Sequence, residues 1–226
     1  MSDLLETIEI ETAPAPKAAV IWLHGLGADG NDFAPIVPEL HLAGAPAIRF
    51  VFPHAPMMPV TINNGYVMRA WYDVSFGDLE GTTRRADEAG VRASQARVGQ
   101  LIEREIARGI AARQIVVAGF SQGGAIALQT GLRYPQRLAG IMALSTYLPL
   151  AGSLPAEAAA ANRDVPIFYV HGTHDPVIPL AMATASHENL IASGYAVEWH
   201  EYPMQHSVCG EEVAAISAWL AGVLRA

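Results

Sequence analysis

The sequence has little cysteine, little positive charge and no long hydrophobic run. Cys209 is the only cysteine among 226 residues, which excludes an intramolecular disulfide and a cysteine-rich metal site. The longest uninterrupted apolar run, residues 18–23, has six residues, whereas a membrane-spanning helix needs about 20, so no membrane span is expected. Residues 1–11 lack the basic start and apolar stretch of a signal peptide. The sequence therefore predicts a cytoplasmic protein.

Positively charged residues are fewer than negatively charged ones, and they do not cluster in the sequence. Lys and Arg total 14 against 22 Asp and Glu, which gives a net charge of −8 and a pI near 5.4. Because a nucleic-acid partner requires clustered positive charge, none is expected. Apolar residues make up 51% of the chain and charged residues 16%, a composition that excludes a disordered or coiled-coil protein. At this length we expect one domain over residues 1–226.

Strand-like apolar runs alternate with helix-like stretches along the whole chain. This order predicts an α/β fold, with a mostly parallel, twisted sheet of about seven or eight strands and helices on both faces. The predicted strands are residues 7–11, 18–24, 47–52, 114–120, 138–144, 165–171 and 196–202. The predicted helices, identified by the 3.6-residue period, are residues 87–108, 122–134, 180–193 and 211–224, with a short one at 156–161. Residues 53–78 have no clear period, and long loops in compact domains tend to be functional.

One glycine motif suggests a nucleotide cofactor. Residues 25–30 match G-x-G-x-x-G directly after an apolar strand, as in dinucleotide-binding proteins. In that fold the next strand ends with an acidic residue that binds the ribose, but here the next strand is followed by Pro53 and His54. Asn31 and Asp32 also resemble helix caps, which places the helix after the third glycine instead of within the turn. A nicotinamide-dependent oxidoreductase is therefore the less favoured hypothesis, and no cofactor is expected.

A second glycine motif predicts a catalytic serine. Residues 119–123, with the sequence GFSQG, lie between a predicted strand and a predicted helix. This context is typical of the nucleophile elbow, where serine occupies a strained turn and any Cβ two residues away would collide with the adjoining strand or helix. The turn places the Ser121 hydroxyl at a helix N-terminus, which favours developing negative charge. An ordinary strand-to-helix turn remains the alternative for this motif taken alone.

Two later residues complete a candidate catalytic triad. Asp175 and His206 each follow a predicted strand, in the chain order Ser, Asp, His of α/β-hydrolases. The carboxyl ends of parallel strands meet at one edge of the sheet, whereas Asp164 precedes its strand and His200 lies inside one. We therefore predict that Ser121 is the nucleophile, that His206 is its base, and that Asp175 orients the imidazole.

Backbone N–H groups are expected to stabilise the oxyanion of the reaction. In this fold one donor is the residue after the nucleophile, here Gln122. The other comes from a turn after an N-terminal strand, and Leu26 within the Gly25–Gly27 turn is the candidate. His171, His174 and Asp175 resemble a metal cluster in sequence, but a zinc site needs three or four convergent ligands, so no metal is expected.

Seven short segments closely resemble the α/β-hydrolase family of carboxylesterases, lysophospholipases and acyl-protein thioesterases. They are residues 24–30 (HGLGADG), 70–73 (AWYD), 87–90 (DEAG), 119–124 (GFSQGG), 144–149 (LSTYLP), 171–175 (HGTHD) and 206–209 (HSVC). The resemblance runs from about residue 18 to residue 212. It implies a small serine esterase without a large cap domain, and the five predicted functional residues fall on the family's functional positions. The resemblance also implies a possible homodimer.

The substrate expected from the resemblance is a small-molecule ester. Residues 61–73 look more like bacterial carboxylesterases than eukaryotic thioesterases, which favours carboxylic esters of small to medium acyl chains. Trp71, Met68 and Val177 are candidates for lining the substrate pocket. The alternatives are acyl-protein thioesterase or lysophospholipase activity on longer acyl chains, and a non-catalytic α/β-hydrolase relative that binds a ligand.

Overall fold

A seven-stranded sheet forms the centre of the protein in the computed structural model, which describes residues 4–75 and 87–225. Its strands are β1 (Thr7–Glu11), β2 (Ala18–Leu23), β3 (Ile48–Pro53), β6 (Ile115–Phe120), β7 (Gly140–Leu144), β8 (Ile167–Gly172) and β9 (Val197–Tyr202). Two further strands, β4 (Met57–Val60) and β5 (Tyr66–Arg69), form an antiparallel hairpin. The large sheet has the order β1-β3-β2-β6-β7-β8-β9, and only the β1–β3 pair is antiparallel.

Helices cover both faces of the sheet, as the alternating pattern predicts. They are α1 (Glu88–Ala107), α2 (Gln122–Gly131), α3 (Leu154–Glu157), α4 (Leu180–Ala192) and α5 (Gly210–Val223). Alternate residues of β2 belong to different cores: Ile21 packs in a core with side chains of α1, α2 and α4, whereas Val20 packs in a second core with α5. The central strands are buried on both faces, which explains why they are continuously apolar. This architecture is the predicted α/β-hydrolase fold.

The strand predictions for the large sheet are confirmed to within two residues, but the β4–β5 hairpin lies in a segment to which no strand was assigned. Each of its strands has four residues, and Met57, Tyr66 and Val67 are exposed. Pro59 lies within β4, and a proline in a sequence segment argues against a central strand there. The apolar alternation that identifies half-buried strands is therefore weak here. Residues 76–78 of the same predicted loop lie outside the described residues.

Two helix predictions need correction. No helix begins at Asn31 or Asp32; Asp29 Oδ1 accepts a hydrogen bond from the Asn31 amide in a turn, and a short 3-10 helix follows at Ala34–Glu39. Pro38 inside that segment prevents a longer helix, because proline has no N–H to donate. The short helix expected at 156–161 is α3, which begins two residues earlier, followed by a 3-10 turn at Ala160–Asn162.

No helix within residues 4–75 and 87–225 combines the length and apolar character needed to cross a membrane.

Candidate active site

Ser121 occupies a strained turn between β6 and α2. Its φ of 55° and ψ of −121° lie outside the regions that residues with a side chain favour, and such a conformation costs about 1–3 kcal/mol. The end of β7 holds the turn in place. The Ser121 amide donates to the Leu144 carbonyl at 2.9 Å, and Thr146 Oγ1 donates to the Ser121 carbonyl at 2.6 Å. Both hydrogen bonds hold the serine by its own backbone N–H and carbonyl and do not use its hydroxyl.

The glycines on either side of Ser121 allow backbone segments to approach closely. A Cβ on Gly123 would lie 2.5 Å from the His24 carbonyl oxygen and closer still to that of Leu23. A Cβ on Gly119 would overlap the backbone of Gly123. These are main-chain atoms of β2, of the loop that follows it and of the elbow itself, so they cannot rotate away as a side chain can. The predicted steric reason for both glycines is confirmed.

This packing predicts a large loss of stability on adding one methyl group. We expect Gly123→Ala to lower the free energy of unfolding by about 3 kcal/mol or more, or to prevent folding. Gly99→Ala in α1 is the matched control, because nothing outside the neighbouring backbone of the helix lies within 4 Å of a Cβ at that position, and alanine there should stabilise the helix by up to about 1 kcal/mol. Urea unfolding measures both variants. A Gly123→Ala protein as stable as the parent would contradict this account of the elbow.

Asp175 and His206 are joined by a hydrogen bond. Nδ1 of His206 lies 2.6 Å from Oδ2 of Asp175, whose side chain is fully buried. The other carboxylate oxygen, Oδ1, accepts from the amides of Val177 at 2.8 Å and Ile178 at 2.9 Å. The loop therefore fixes one oxygen of Asp175 and leaves the other for the imidazole. When the carboxylate is ionised, this bond places a proton on Nδ1 and leaves Nε2 free to accept one.

The loops that carry Asp175 and His206 pack directly on each other. They follow the adjacent parallel strands β8 and β9. The Thr173 amide donates to the Tyr202 carbonyl at 2.8 Å, and the His174 amide donates to the Met204 carbonyl at 3.1 Å. Gly172 permits this contact, because a Cβ there would lie 2.5 Å from the carbonyl oxygen of residue 205. The predicted convergence of the two strand ends is confirmed.

His206 also lies beside the nucleophile elbow. Its ring centroid is 4.8 Å from that of Phe120, the residue before Ser121. Among the described residues, neither the Ser121 hydroxyl nor Nε2 of His206 makes a hydrogen bond. In enzymes without substrate the bond between nucleophile and base is often long and shortens when substrate binds. Direct pairing of Ser121 with His206 therefore stays a prediction.

The Gly25–Gly27 turn packs against the elbow, as expected for an oxyanion site. A Cβ on Gly25 would lie 3.5 Å from Cβ of Ser121, and Leu26, Ser121 and Gln122 line one cavity. Gln122 is the first residue of α2, so its N–H has no acceptor within the helix. The Leu26 N–H likewise has no backbone acceptor among the described residues. Two amides next to Ser121 thus have no acceptor in the part of the chain that the structure describes.

His24 holds the turn from behind. Its Nε2 accepts the Ala55 amide at 3.0 Å, and its Nδ1 then donates to the Gly25 carbonyl at 2.7 Å. The indole N–H of Trp71 donates to the His24 carbonyl at 2.9 Å. Burial lowers the pKa of His24 to about 4, so the ring is neutral near pH 7. A neutral ring supplies the one donor and one acceptor that these two contacts require.

The cavity beside Ser121 has a volume of about 190 Å³. It is lined by Leu26, Ile62, Asn63, Tyr72, Val74, Ser121, Gln122, Tyr147, Val177 and Ile178. Of the three residues predicted to line it, Val177 does so, whereas Trp71 and Met68 are not among the described residues of its wall. Trp71 is buried behind the wall, and Met68 accepts a hydrogen bond on its sulfur from the lining residue Asn63 at 3.3 Å.

Sequence reasoning missed two further roles at the site. The Gln122 side chain accepts the Trp71 amide at 2.8 Å and donates to the Tyr72 carbonyl at 2.6 Å, which ties the 71–72 segment to the elbow. The hydroxyls of Tyr72 and Tyr147 lie 2.7 Å apart and both residues line the cavity. These tyrosines belong to the AWYD and LSTYLP segments, whose resemblance to the family is the sequence signal that could have identified them as site residues.

The histidine near the end of β8, His171, is structural. Burial lowers the pKa of His171, and its Nε2 lies 2.9 Å from the Ile178 carbonyl oxygen, to which the neutral ring donates. In the part of the chain that the structure describes, no group of three or more His, Cys, Asp and Glu side chains could hold a metal ion.

Comparison with known proteins identifies the family. Residues 6–224 match the family model described as Phospholipase/Carboxylesterase. The chain is 42% identical over 210 residues to acyl-protein thioesterase 1 of Neurospora crassa, covering 90% of this chain and 85% of that protein. The crystal structure of Arabidopsis thaliana SOBER1 is similar with a TM-score of 0.84 at 33% identity, covering 92% of this chain and 99% of that one. For Zea mays acyl-protein thioesterase 2 the TM-score is 0.84 at 29% identity, with coverage of 97% and 99%. The chain therefore belongs to the phospholipase/carboxylesterase family of α/β-hydrolases.

Proposed function

We propose that the protein is a serine esterase that hydrolyses carboxylic esters of small to medium acyl chains through an acyl-enzyme on Ser121. The observation that carries this proposal is the Asp175–His206 hydrogen bond of 2.6 Å at the sheet edge where Ser121 occupies its strained turn. Membership of a family of esterases and thioesterases supports the reaction class.

Acylation begins with attack of Ser121 Oγ on the substrate carbonyl carbon. Nε2 of His206 takes the hydroxyl proton, and Asp175 stabilises the imidazolium that forms. The carbonyl oxygen becomes an oxyanion that accepts hydrogen bonds from the N–H groups of Leu26 and Gln122. When the tetrahedral intermediate collapses, the bond to the leaving oxygen or sulfur breaks and His206 donates its proton to that atom. The alcohol or thiol leaves, and the acyl group stays on Ser121.

Deacylation repeats these steps with water as the nucleophile. His206 takes a proton from the water molecule, whose oxygen attacks the acyl carbon. The same two N–H groups stabilise the second oxyanion. Collapse breaks the bond to Ser121 Oγ, which recovers its proton from His206, and the carboxylic acid is released.

The size and lining of the cavity favour a short acyl chain. Its volume of about 190 Å³ is below the range of roughly 300–1,000 Å³ that is typical of pockets for drug-sized ligands. Ile62, Val74 and Ile178 supply apolar side chains, whereas the paired hydroxyls of Tyr72 and Tyr147 supply a polar group. Such a lining suits a small acyl group better than a long alkyl chain.

Thioesterase activity on longer acyl chains is the second candidate, favoured by the names of the relatives. Acyl-protein thioesterase 1 of Neurospora crassa is 42% identical to this chain. Val177 at the cavity wall is 44% exposed, so a longer chain could continue from the cavity across the surface. Rates on matched esters and thioesters of graded acyl length distinguish the two candidates. The first predicts the highest rates on esters of short to medium acyl chains, and the second predicts the highest rates on thioesters of longer chains.

Covalent labelling tests the proposal and separates an enzyme from a non-catalytic relative. A fluorophosphonate probe should attach once per chain, at Ser121, because the probe reacts only with an activated serine. Labelling should be lost in Ser121→Ala and retained in Ser193→Ala, whose hydroxyl donates to the Asn189 carbonyl in α4. Mass spectrometry of the labelled protein gives the site. An unlabelled parent protein, or equal labelling of the Ser121→Ala variant, would contradict the assignment.

A further inference from the structure

A second cleft lies outside the candidate active site and shares none of its lining residues. It has a volume of about 330 Å³ and is bounded by the N-terminal segment, residues 54–56, the end of β5 and one face of α1. Its lining residues are Leu4, Leu5, Glu6, His54, Ala55, Pro56, Arg69 and Arg97. Two arginines and a histidine in one cleft are unexpected in a chain whose net charge is −8.

The two arginines of this cleft lack acidic partners. Neither Arg69 nor Arg97 forms an ion pair among the described residues, and Arg97 also makes no hydrogen bond there. Six other arginines of the described chain are paired with carboxylates, namely Arg49, Arg92, Arg104, Arg108, Arg133 and Arg137. The contrast is clear within α1, where Arg104, two turns after Arg97, pairs with Glu9 and Glu105. Six of the eleven arginines in the described residues are therefore paired, and Arg69 and Arg97 are two of the unpaired ones that lie together in one cleft.

The third donor of the cleft has a defined orientation. Nδ1 of His54 accepts the Gly30 amide at 3.1 Å. A ring that accepts through Nδ1 carries its proton on Nε2, which is then a donor. The guanidinium of Arg69 donates through Nη1 to the Ala55 carbonyl at 2.8 Å. This hydrogen bond to the backbone fixes the position of the guanidinium group. An arginine guanidinium has five N–H groups, and the remaining donors of Arg69 bond to no other residue that the structure describes.

We propose that this cleft binds a small ligand that carries a phosphate or carboxylate group, with Arg69 and Arg97 as its charged donors. Guanidinium forks match the oxygen spacing of such groups and form charge-assisted hydrogen bonds with them. Leu4, Leu5 and Pro56 supply apolar walls beside these donors. Glu6 is the one acidic residue among the described lining residues, and its exposed side chain forms no ion pair with either arginine there.

Calorimetric titration with inorganic phosphate in Tris buffer at low ionic strength tests the proposal. The parent protein should bind one phosphate per chain, and Arg97→Ala should weaken the affinity about tenfold or more, the usual effect of losing a charged hydrogen bond. Arg113→Ala is the matched control, because it removes the same charge from an exposed arginine without an ion pair among the described residues. Its affinity for phosphate should be close to that of the parent.

Additional arms identify the ligand group and guard against misfolding. Glycerol 3-phosphate and succinate compare a phosphate monoester with a carboxylate at the same site. Arg97→Gln keeps most of the side-chain volume, and circular dichroism verifies that both Arg97 variants are folded. Ser121→Ala should bind phosphate as the parent does, because the cleft shares no lining residue with the cavity beside Ser121. The outcome of this experiment therefore does not depend on the esterase proposal. Absence of saturable binding for all three anions, or equal affinities in the parent, the folded Arg97 variants and Arg113→Ala, would overturn the proposal.

Discussion

Replacing Ser121 by alanine is expected to lower kcat on a soluble aryl ester by about 10⁴-fold or more, by analogy with other catalytic triads. The variant lacks the oxygen that forms the acyl-enzyme, so only the slow attack of water in the remaining site contributes. The fold should not change, because the bonds of residue 121 to Leu144 and Thr146 use its backbone. Alanine also relieves no strain, since the turn still requires a positive φ.

The measurement compares steady-state rates of the parent, Ser121→Ala and Ser193→Ala at one enzyme concentration. The control removes the hydroxyl of the residue that follows α4, which donates to the Asn189 carbonyl, so its rate should match that of the parent. Thermal unfolding of each variant separates loss of catalysis from loss of structure. If Ser121→Ala hydrolysed the ester as fast as the parent, Ser121 would not be the nucleophile and no acyl-enzyme would form on it.

The sequence predicted the large sheet well because burial leaves a strong pattern. Strands such as β2 and β7 are buried on both faces, so nearly every residue in them is apolar. The hairpin strands β4 and β5 lie at the surface, where composition is less constrained, and their residues include Pro59 and the exposed Tyr66. Their structure depends on pairing with each other, which a local pattern does not reveal.

In the candidate active site, the catalytic residues were predictable from the sequence, whereas the cavity wall was not. Asp175 and His206 were predictable because strand order and the direction of parallel strands determine which residues reach the same edge. The cavity wall depends instead on which way side chains point from an irregular segment. Trp71 was expected in the wall, but hydrogen bonds to Gln122 and His24 hold it behind. Tertiary contacts of this kind are not encoded in residue spacing.

The Asp175→Asn variant tests the role of the carboxylate with almost no change in size. We expect kcat on the same ester to fall by about 10⁴-fold, by analogy with the same substitution in other triads. In the parent protein, Oδ2 of Asp175 accepts a hydrogen bond from Nδ1 of His206 at 2.6 Å, which leaves Nε2 able to take the serine proton. Asparagine keeps an oxygen for the amides of Val177 and Ile178 and turns its NH₂ group toward the imidazole.

That NH₂ group requires an acceptor, so Nδ1 must give up its proton and Nε2 must carry it. A protonated Nε2 cannot act as the base for Ser121, and no negative charge remains to stabilise the imidazolium. Asp164→Asn is the matched control, because it makes the same chemical change at a carboxylate that is 87% exposed and pairs with Arg137 before β8. Steady-state rates and fluorophosphonate labelling should fall together in Asp175→Asn and stay at parental values in Asp164→Asn. Equal activity of the two variants would show that the hydrogen bond between Asp175 and His206 is structural and has no part in proton transfer.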